Sequence, residues 1–429
     1  MRKIPKEIID LGKSLKIELK ETGRITQVRK YKLITPLFGG GVSPRENDPS
    51  KLIRETSIRG QLRFWWRALR GSGSLEEMKK REDAIFGSTN QEIGQSKVSI
   101  VVKNIQKGNE EFIFNSNDKN KPFKKWERVA YAAFALQPTK EEPEQKSIRI
   151  GVAFEIEISF PSQKDEENDI DFPVEVEAAL WAWETFGGIG GRTRRGFGAV
   201  ELLSLTENGK EKKIEKYRMV TVEDQIRADL KKHLLPDKRC DQNTPHLKFD
   251  SIFKVKRAAN SLNAWKNAIE LYKNFRQFRR DKNTHKESNF GKSQWSEPNS
   301  IRYIDGRREN ERIVKFPRSN FGLPVIFHFP KDKPELKDFT LKLKDYERLA
   351  SPLILRPIAC SDGAVSIALL LEFPRASNLS LEVISEDKRK GVSAKLTLEE
   401  AKQLTEDGLT PLNYKTDVLQ AFLDFFAKH

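Results

Sequence analysis

Cysteine is almost missing from this 429-residue chain: Cys240 and Cys360 are its two, and no CxxC spacing occurs. That excludes a disulfide framework and a zinc site built on paired cysteines. Histidine is nearly as scarce, and His233, His246, His285, His328 and His429 all fall in the second half. The first half therefore has no imidazole for acid–base chemistry. HExxH motifs, nucleophile elbows and paired Cys/His ligands are absent, so no catalytic residue, metal or cofactor is expected. There is no long uncharged apolar run, no signal-peptide h-region and no lipidation motif, which predicts a soluble, cytoplasmic chain with no membrane partner.

Positive charge is what the chain has in excess. With 78 Lys and Arg against 62 Asp and Glu, the formal net charge is +16. Such an excess points to a polyanion partner. The length suits two domains, each with its own core. The expected division is 1–210 and 211–429.

The first half parses by period. Leu15, Ile17 and Leu19 alternate as a short strand, a helix follows at 57–70, and 97–102 is a second strand. Ile148, Ile150, Val152, Phe154, Ile156, Ile158 and Phe160 run at strict period two, so one face of that strand is buried. Val176, Ala179, Leu180, Trp183 and Phe186 repeat at helical spacing up to Gly187, and 197–205 supplies a last strand. This order is the ferredoxin-like, RRM-like βαββαβ pattern, with an extra helix near 126–136. The second half is less legible. Helices are expected at 224–235, 257–280 and 417–427, and strands at 325–329, 339–343 and 366–373, while Thr397 with Glu400 forms a capping box.

Two motifs carry the binding chemistry. Wrapped as a helix at about 100° per residue, Arg59, Arg63, Arg67 and Arg70 fall in a stripe about 80° wide. Ile58, Leu62, Trp65, Trp66 and Leu69 form the adjoining apolar face, with Trp66 nearest the arginines. Guanidiniums beside one ring suit an unpaired nucleic-acid strand, although an ordinary amphipathic helix with core tryptophans and solvated arginines has the same pattern. The second motif runs from Gly187 to Gly198, where Gly190 and Gly191 precede Arg192, Arg194, Arg195 and Phe197. Glycines let backbone approach a ligand and the arginines supply charge. The spacing is not GxGxxG, and the loop follows a helix instead of preceding one, so a dinucleotide-binding turn is rejected. Gly39, Gly40 and Gly41 lack a following GK[ST] and read as a permissive turn that brings Arg45 toward the same face. Asp48 is the one acid of this Gly-rich loop that could serve metal-dependent cleavage, and a solvated loop acid is the much commoner explanation.

The chain resembles the RAMP superfamily of CRISPR proteins, and within it the family of the first-numbered subunit of the type III-B Cmr effector complex. The resemblance is carried by Thr35-Pro36-Leu37-Phe38-Gly39-Gly40-Gly41, by Ile58 to Arg67 with its double tryptophan, and by the Gly187 to Gly198 loop. Blocks at 295–302, 316–324 and 350–357 extend it. It implies an α+β fold of two ferredoxin-like domains with helical insertions, and a place at the head of an assembly with other Cmr subunits, near the 3′ end of the guide crRNA. The family's role there is binding, not cutting. The expectation is therefore a non-catalytic subunit that holds guide crRNA and target single-stranded RNA. Arg59, Arg63 and Arg67 would take phosphates, Trp66 would stack on a base, and Arg192, Arg194 and Arg195 would clamp from the opposite side. Arg302, Arg318 and Arg356 are second-half candidates. The rivals are a RAMP-type ribonuclease and a purely structural cap whose arginines meet acidic partner subunits.

Overall fold

The structure is a computed structural model describing residues 23–429 apart from 42, 44, 89–93, 116–120, 140–141, 236–242, 281–291, 330–335 and 407–409. The strand expected at 15–19, Cys240 and His285 lie outside the described residues. The first sheet has five antiparallel strands: β1 Arg24–Leu33, β2 Ser99–Gln106, β3 Ala153–Pro161, β4 Val200–Glu207 and β5 Lys210–Lys212, in the order β2-β3-β1-β4-β5. Helices α1 Glu55–Arg70 and α3 Phe172–Phe186 lay Ile58, Leu62, Trp65, Val176, Leu180 and Trp183 against Tyr31, Phe154 and Ile156 of this sheet. The short helix α2 Leu75–Phe86 lies beside α1. The long alternating strand is broken at Gly151, whose φ of +72° turns the chain. Its first part, Ser147–Ile150, pairs antiparallel with Asn109–Phe112 in a separate two-stranded sheet.

The second half distributes its strands by how many faces they bury. Residues 353–358 of β9 (Leu353–Cys360) and 364–370 of β10 (Gly363–Leu370) are buried without interruption, which requires cover on both sides. They join β6 Phe253–Ala258 in a three-stranded sheet ordered β6-β10-β9. Ile354, Ile358, Val365 and Ile367 face the first-half core together with α4 Val222–His233. Leu353, Leu355, Ala368 and Leu370 face α5 Ser261–Gln277 and α8 Val418–Lys428. The remaining strands are half-buried and build an outer sheet, β7 Val325–Phe329, β8 Leu336–Leu343, β11 Leu381–Ile384 and β12 Arg389–Val392, in the order β7-β8-β11-β12. Its core joins Phe339, Leu341 and Val383 to Ile301 of α6 Glu297–Asp305. The chain also carries α7 Leu398–Glu406.

These sheets correct the expected pair of ferredoxin-like βαββαβ domains. The first sheet opens on a strand the apolar pattern does not announce and carries a fifth, and the second half divides its strands between two open sheets with no βαββαβ run. The physical reason is the two-faced burial of β9 and β10, which draws them inward and away from the half-buried strands. The helix expected at 257–280 likewise divides into β6 and α5, and the helix expected near 126–136 into two 3₁₀ turns, Lys124–Val129 and Phe134–Leu136. No helix among the described residues is long and apolar enough to cross a membrane.

Candidate nucleic-acid interface

Helix α1 forms where its sequence predicts, with Glu55 in its first turn and Arg67 and Arg70 in its last, the arrangement its dipole favours. Its cationic stripe is largely met from within. Arg63 pairs with Glu82 and, at 3.1 Å, with Asp83, while Arg67 Nη1 reaches Glu82 at 2.8 Å. Both acids stand on α2, which a capping box at Ser74 and Glu77 starts immediately after α1. Arg70 is buried against Glu175 of α3 at 2.8 Å. Trp66, expected to stack on a base, is 0% exposed and donates from Nε1 to Glu175 Oε2 at 2.6 Å, so no ring face is open. Arg59 differs from the rest of the stripe: no described carboxylate pairs with it, and its buried Nε lacks an acceptor.

The Gly-rich loop folds back on the glycine turn instead of leaving room for a strand. Gly190 sits at φ +82°, and a Cβ there would lie 2.6 Å from the Phe38 carbonyl. Gly191 N–H donates to the same carbonyl at 2.6 Å, so these two glycines permit the loop-to-loop approach. Arg54 closes the junction by donating from Nη2 to the Gly40 carbonyl, while its buried Nε has no acceptor.

The three loop arginines have neutral partners. Arg192 Nη1 donates to Ala132 O at 3.1 Å, Arg194 Nη1 to Ser351 O at 2.5 Å, and Arg195 to Leu353 O at 2.7 Å and the Tyr272 hydroxyl at 3.0 Å. No described carboxylate compensates them. Burial, followed by the charge of Arg195, pushes Arg192 and Arg194 down to about 10. Both remain cations at neutral pH, in a setting that an arriving anion would improve. Arg194 also lies 5.5 Å from the Phe64 ring of α1, which brings the two motifs side by side. Arg195 points inward, 4.6 Å over Tyr272, and Phe197 is wholly buried against Phe38 and Trp265, so neither has a free face for a base.

The other expected contacts are scattered. Arg45 pairs with Glu142 and donates to Ala135 O at 3.3 Å. Arg302 lies 5.1 Å over the Phe329 ring. Arg318 pairs with Glu297 at 3.1 Å and donates to Arg276 O at 2.7 Å. Arg356 is 1% exposed, pushed down to about 9 by burial, and donates to the carbonyls of Glu184 and, at 2.6 Å, Val200. It is an internal fastener, which corrects its expected place on a nucleic-acid surface. Asp48 Oδ1 accepts from Ser50 N, Ser50 Oγ and Lys51 N at 2.9, 2.6 and 3.0 Å, closing a turn beside a cleft of about 340 Å³. Among the described residues no three His, Cys, Asp or Glu side chains gather where they could hold a metal ion.

One surface residue has no precedent in the sequence pattern. Phe134 is 62% exposed, and the Arg192 guanidinium lies 4.2 Å from its ring centroid. The signal available was an aromatic within the apolar 129–136 segment, but nothing in its period separates an outward ring from a core one.

Residues 30–201 match the family model of the RAMP superfamily. The CRISPR system Cmr subunit Cmr1-2 of Pyrococcus furiosus is 32% identical over 185 residues, 41% of this chain and 93% of that protein. Subunit Cmr1-1 of the same organism is 27% identical over 155 residues, 35% of this chain and 40% of that protein. The crystal structure of apo Cmr1 from Pyrococcus furiosus superposes with a TM-score of 0.50 at 19% identity, covering 81% of this chain and 88% of the other. A cryo-EM structure of type III-B Cmr-beta bound to cognate target RNA gives 0.50 at 14% identity, covering 93% and 100%. At those identities the likeness is one of fold.

Proposed function

Because the chain belongs to the RAMP superfamily of CRISPR proteins and is homologous to Cmr1, we propose that it is a non-catalytic, RNA-binding subunit of a type III-B Cmr effector complex. It engages guide crRNA near its 3′ end and the target strand, alongside other Cmr subunits. The observation that carries this reading is the contrast between two sets of arginines. Arg63, Arg67 and Arg70 are neutralised by carboxylates, whereas Arg59 on α1 and Arg192 and Arg194 in the Gly-rich loop pair with no described carboxylate, and Arg194 meets α1 at Phe64. Backbone phosphates are the acceptors such groups lack. The solved Cmr-beta assembly bound to cognate target RNA supports the choice of polyanion.

The test is binding of a labelled single-stranded RNA to the purified chain across a salt series. Replacing Arg59 and Arg194 together by glutamine is expected to weaken binding about tenfold or more. The slope of log K against log salt should flatten by about 0.7 for each phosphate that is no longer neutralised. Unchanged affinity and slope would refute the reading. In the same assay with Mg²⁺ the RNA should remain intact, and cleavage abolished by Asp48→Ala would overturn the non-catalytic assignment.

A further inference from the structure

Resting on that reading, we infer that Phe134 and Arg192 form a stacking platform for one nucleobase of a single-stranded RNA, at the edge of the phosphate-binding junction. Lone exposed phenylalanines are common on protein surfaces, so exposure alone carries nothing. Three further observations set this one apart.

The ring is held in place from both sides. Ala133 and Leu136 are buried, and two arginines from different loops donate to the flanking carbonyls, Arg192 to Ala132 O at 3.1 Å and Arg45 to Ala135 O at 3.3 Å. Second, the Arg192 guanidinium lies over the ring, so a cation and a π-face are already paired. A base arriving on the open side meets a surface that stacks with any of the four bases. Third, Arg192 adopts φ +55°, ψ +31°, a left-handed conformation disfavoured for a residue with a Cβ. Glycine would fit that backbone more easily, yet a residue with a guanidinium stands there. Strain retained beside a binding surface is the signature of a side chain kept for what it touches.

The experiment compares wild type, Phe134→Leu, Phe134→Trp and Arg192→Gly for binding a 12-nucleotide single-stranded RNA and the same backbone with abasic sites. Phe134→Leu should weaken binding to the intact RNA about tenfold with the salt slope unchanged, and should leave abasic binding as in wild type. Phe134→Trp should restore affinity. Arg192→Gly, which removes the guanidinium over the ring, should bind the intact RNA more weakly than wild type. Wild-type affinity in Phe134→Leu, or an equal loss on abasic RNA, overturns the platform while leaving the phosphate-binding reading intact. No binding by the wild-type chain overturns both.

Discussion

Glu175 stands in the first turn of α3, fully shielded, and accepts from Trp66 Nε1 at 2.6 Å, Arg70 Nη2 at 2.8 Å and Arg81 Nη2 at 3.4 Å. A buried carboxylate with donors from three residues is tolerated because its charge is matched, and its removal strips the Trp66 indole N–H, the Arg81 guanidinium and two of the Arg70 nitrogens of their carboxylate acceptor, leaving Arg70 only the His233 carbonyl. Glu175→Ala is therefore expected to cost about 3–5 kcal/mol, read as a lowered urea midpoint. A loss under about 1 kcal/mol would mean that solvent reaches Arg70. The same logic separates the arginines by function. Composition shows an excess of cations but not which have carboxylates waiting for them, and Glu82, Asp83 and Glu175 meet α1 only through tertiary packing.

The elements show what a sequence can and cannot display. Helices α1 and α3 and strand β3 were legible because each presents a regular apolar stripe or alternation to the core. Strand β1 was not, since its buried face reads Gln27, Arg29, Tyr31 and Leu33. Its polar members are satisfied from α3: Arg29 pairs with Glu177 at 2.7 Å and Glu184 at 2.9 Å, and Gln27 donates to Glu177 at 2.5 Å. Strand β9 was hidden for the opposite reason, being buried on both faces and so lacking alternation. At the candidate site, the two arginine motifs were legible as sequence, but which of their arginines lack carboxylates and which aromatic stays exposed were not. Trp66 and Phe197 have the composition of a stacking residue, and packing takes both inside. One element, α2, neutralises two arginines of the α1 stripe, Arg63 and Arg67. Helix α2 begins with Ser74 Oγ accepting from Glu77 N at 3.2 Å and Glu77 Oε2 accepting from Ser74 N at 2.7 Å. Ser74→Ala should lower stability by about 1 kcal/mol, measured by thermal unfolding, and no change would show that Glu82 and Asp83 hold α2 without its cap.

Across the whole molecule, the basic excess is unevenly distributed. The outer face of the first sheet is laced with ion pairs such as Lys30–Glu155, Lys32–Glu201 and Lys103–Glu157, so it offers little uncompensated charge. The core ignores the midpoint of the chain. Ile354, Ile358, Val365 and Ile367 complete the apolar layer that Val176, Leu180 and Trp183 begin. A fragment ending at residue 210 is thus expected to expose that layer and bind a hydrophobic dye, where the full chain does not. A dye-silent, cooperatively melting fragment would contradict this. The Gly-rich loop shares the dependence: Trp265 Nε1 donates to Arg195 O at 2.8 Å, and Thr35 Oγ1 to Gly196 O at 2.6 Å. Its shape is imposed by distant segments and is not stored in its own twelve residues. Grafted onto a foreign scaffold the segment would be a limp basic peptide, and engineers seeking to borrow its grip would have to transplant the surrounding walls as well.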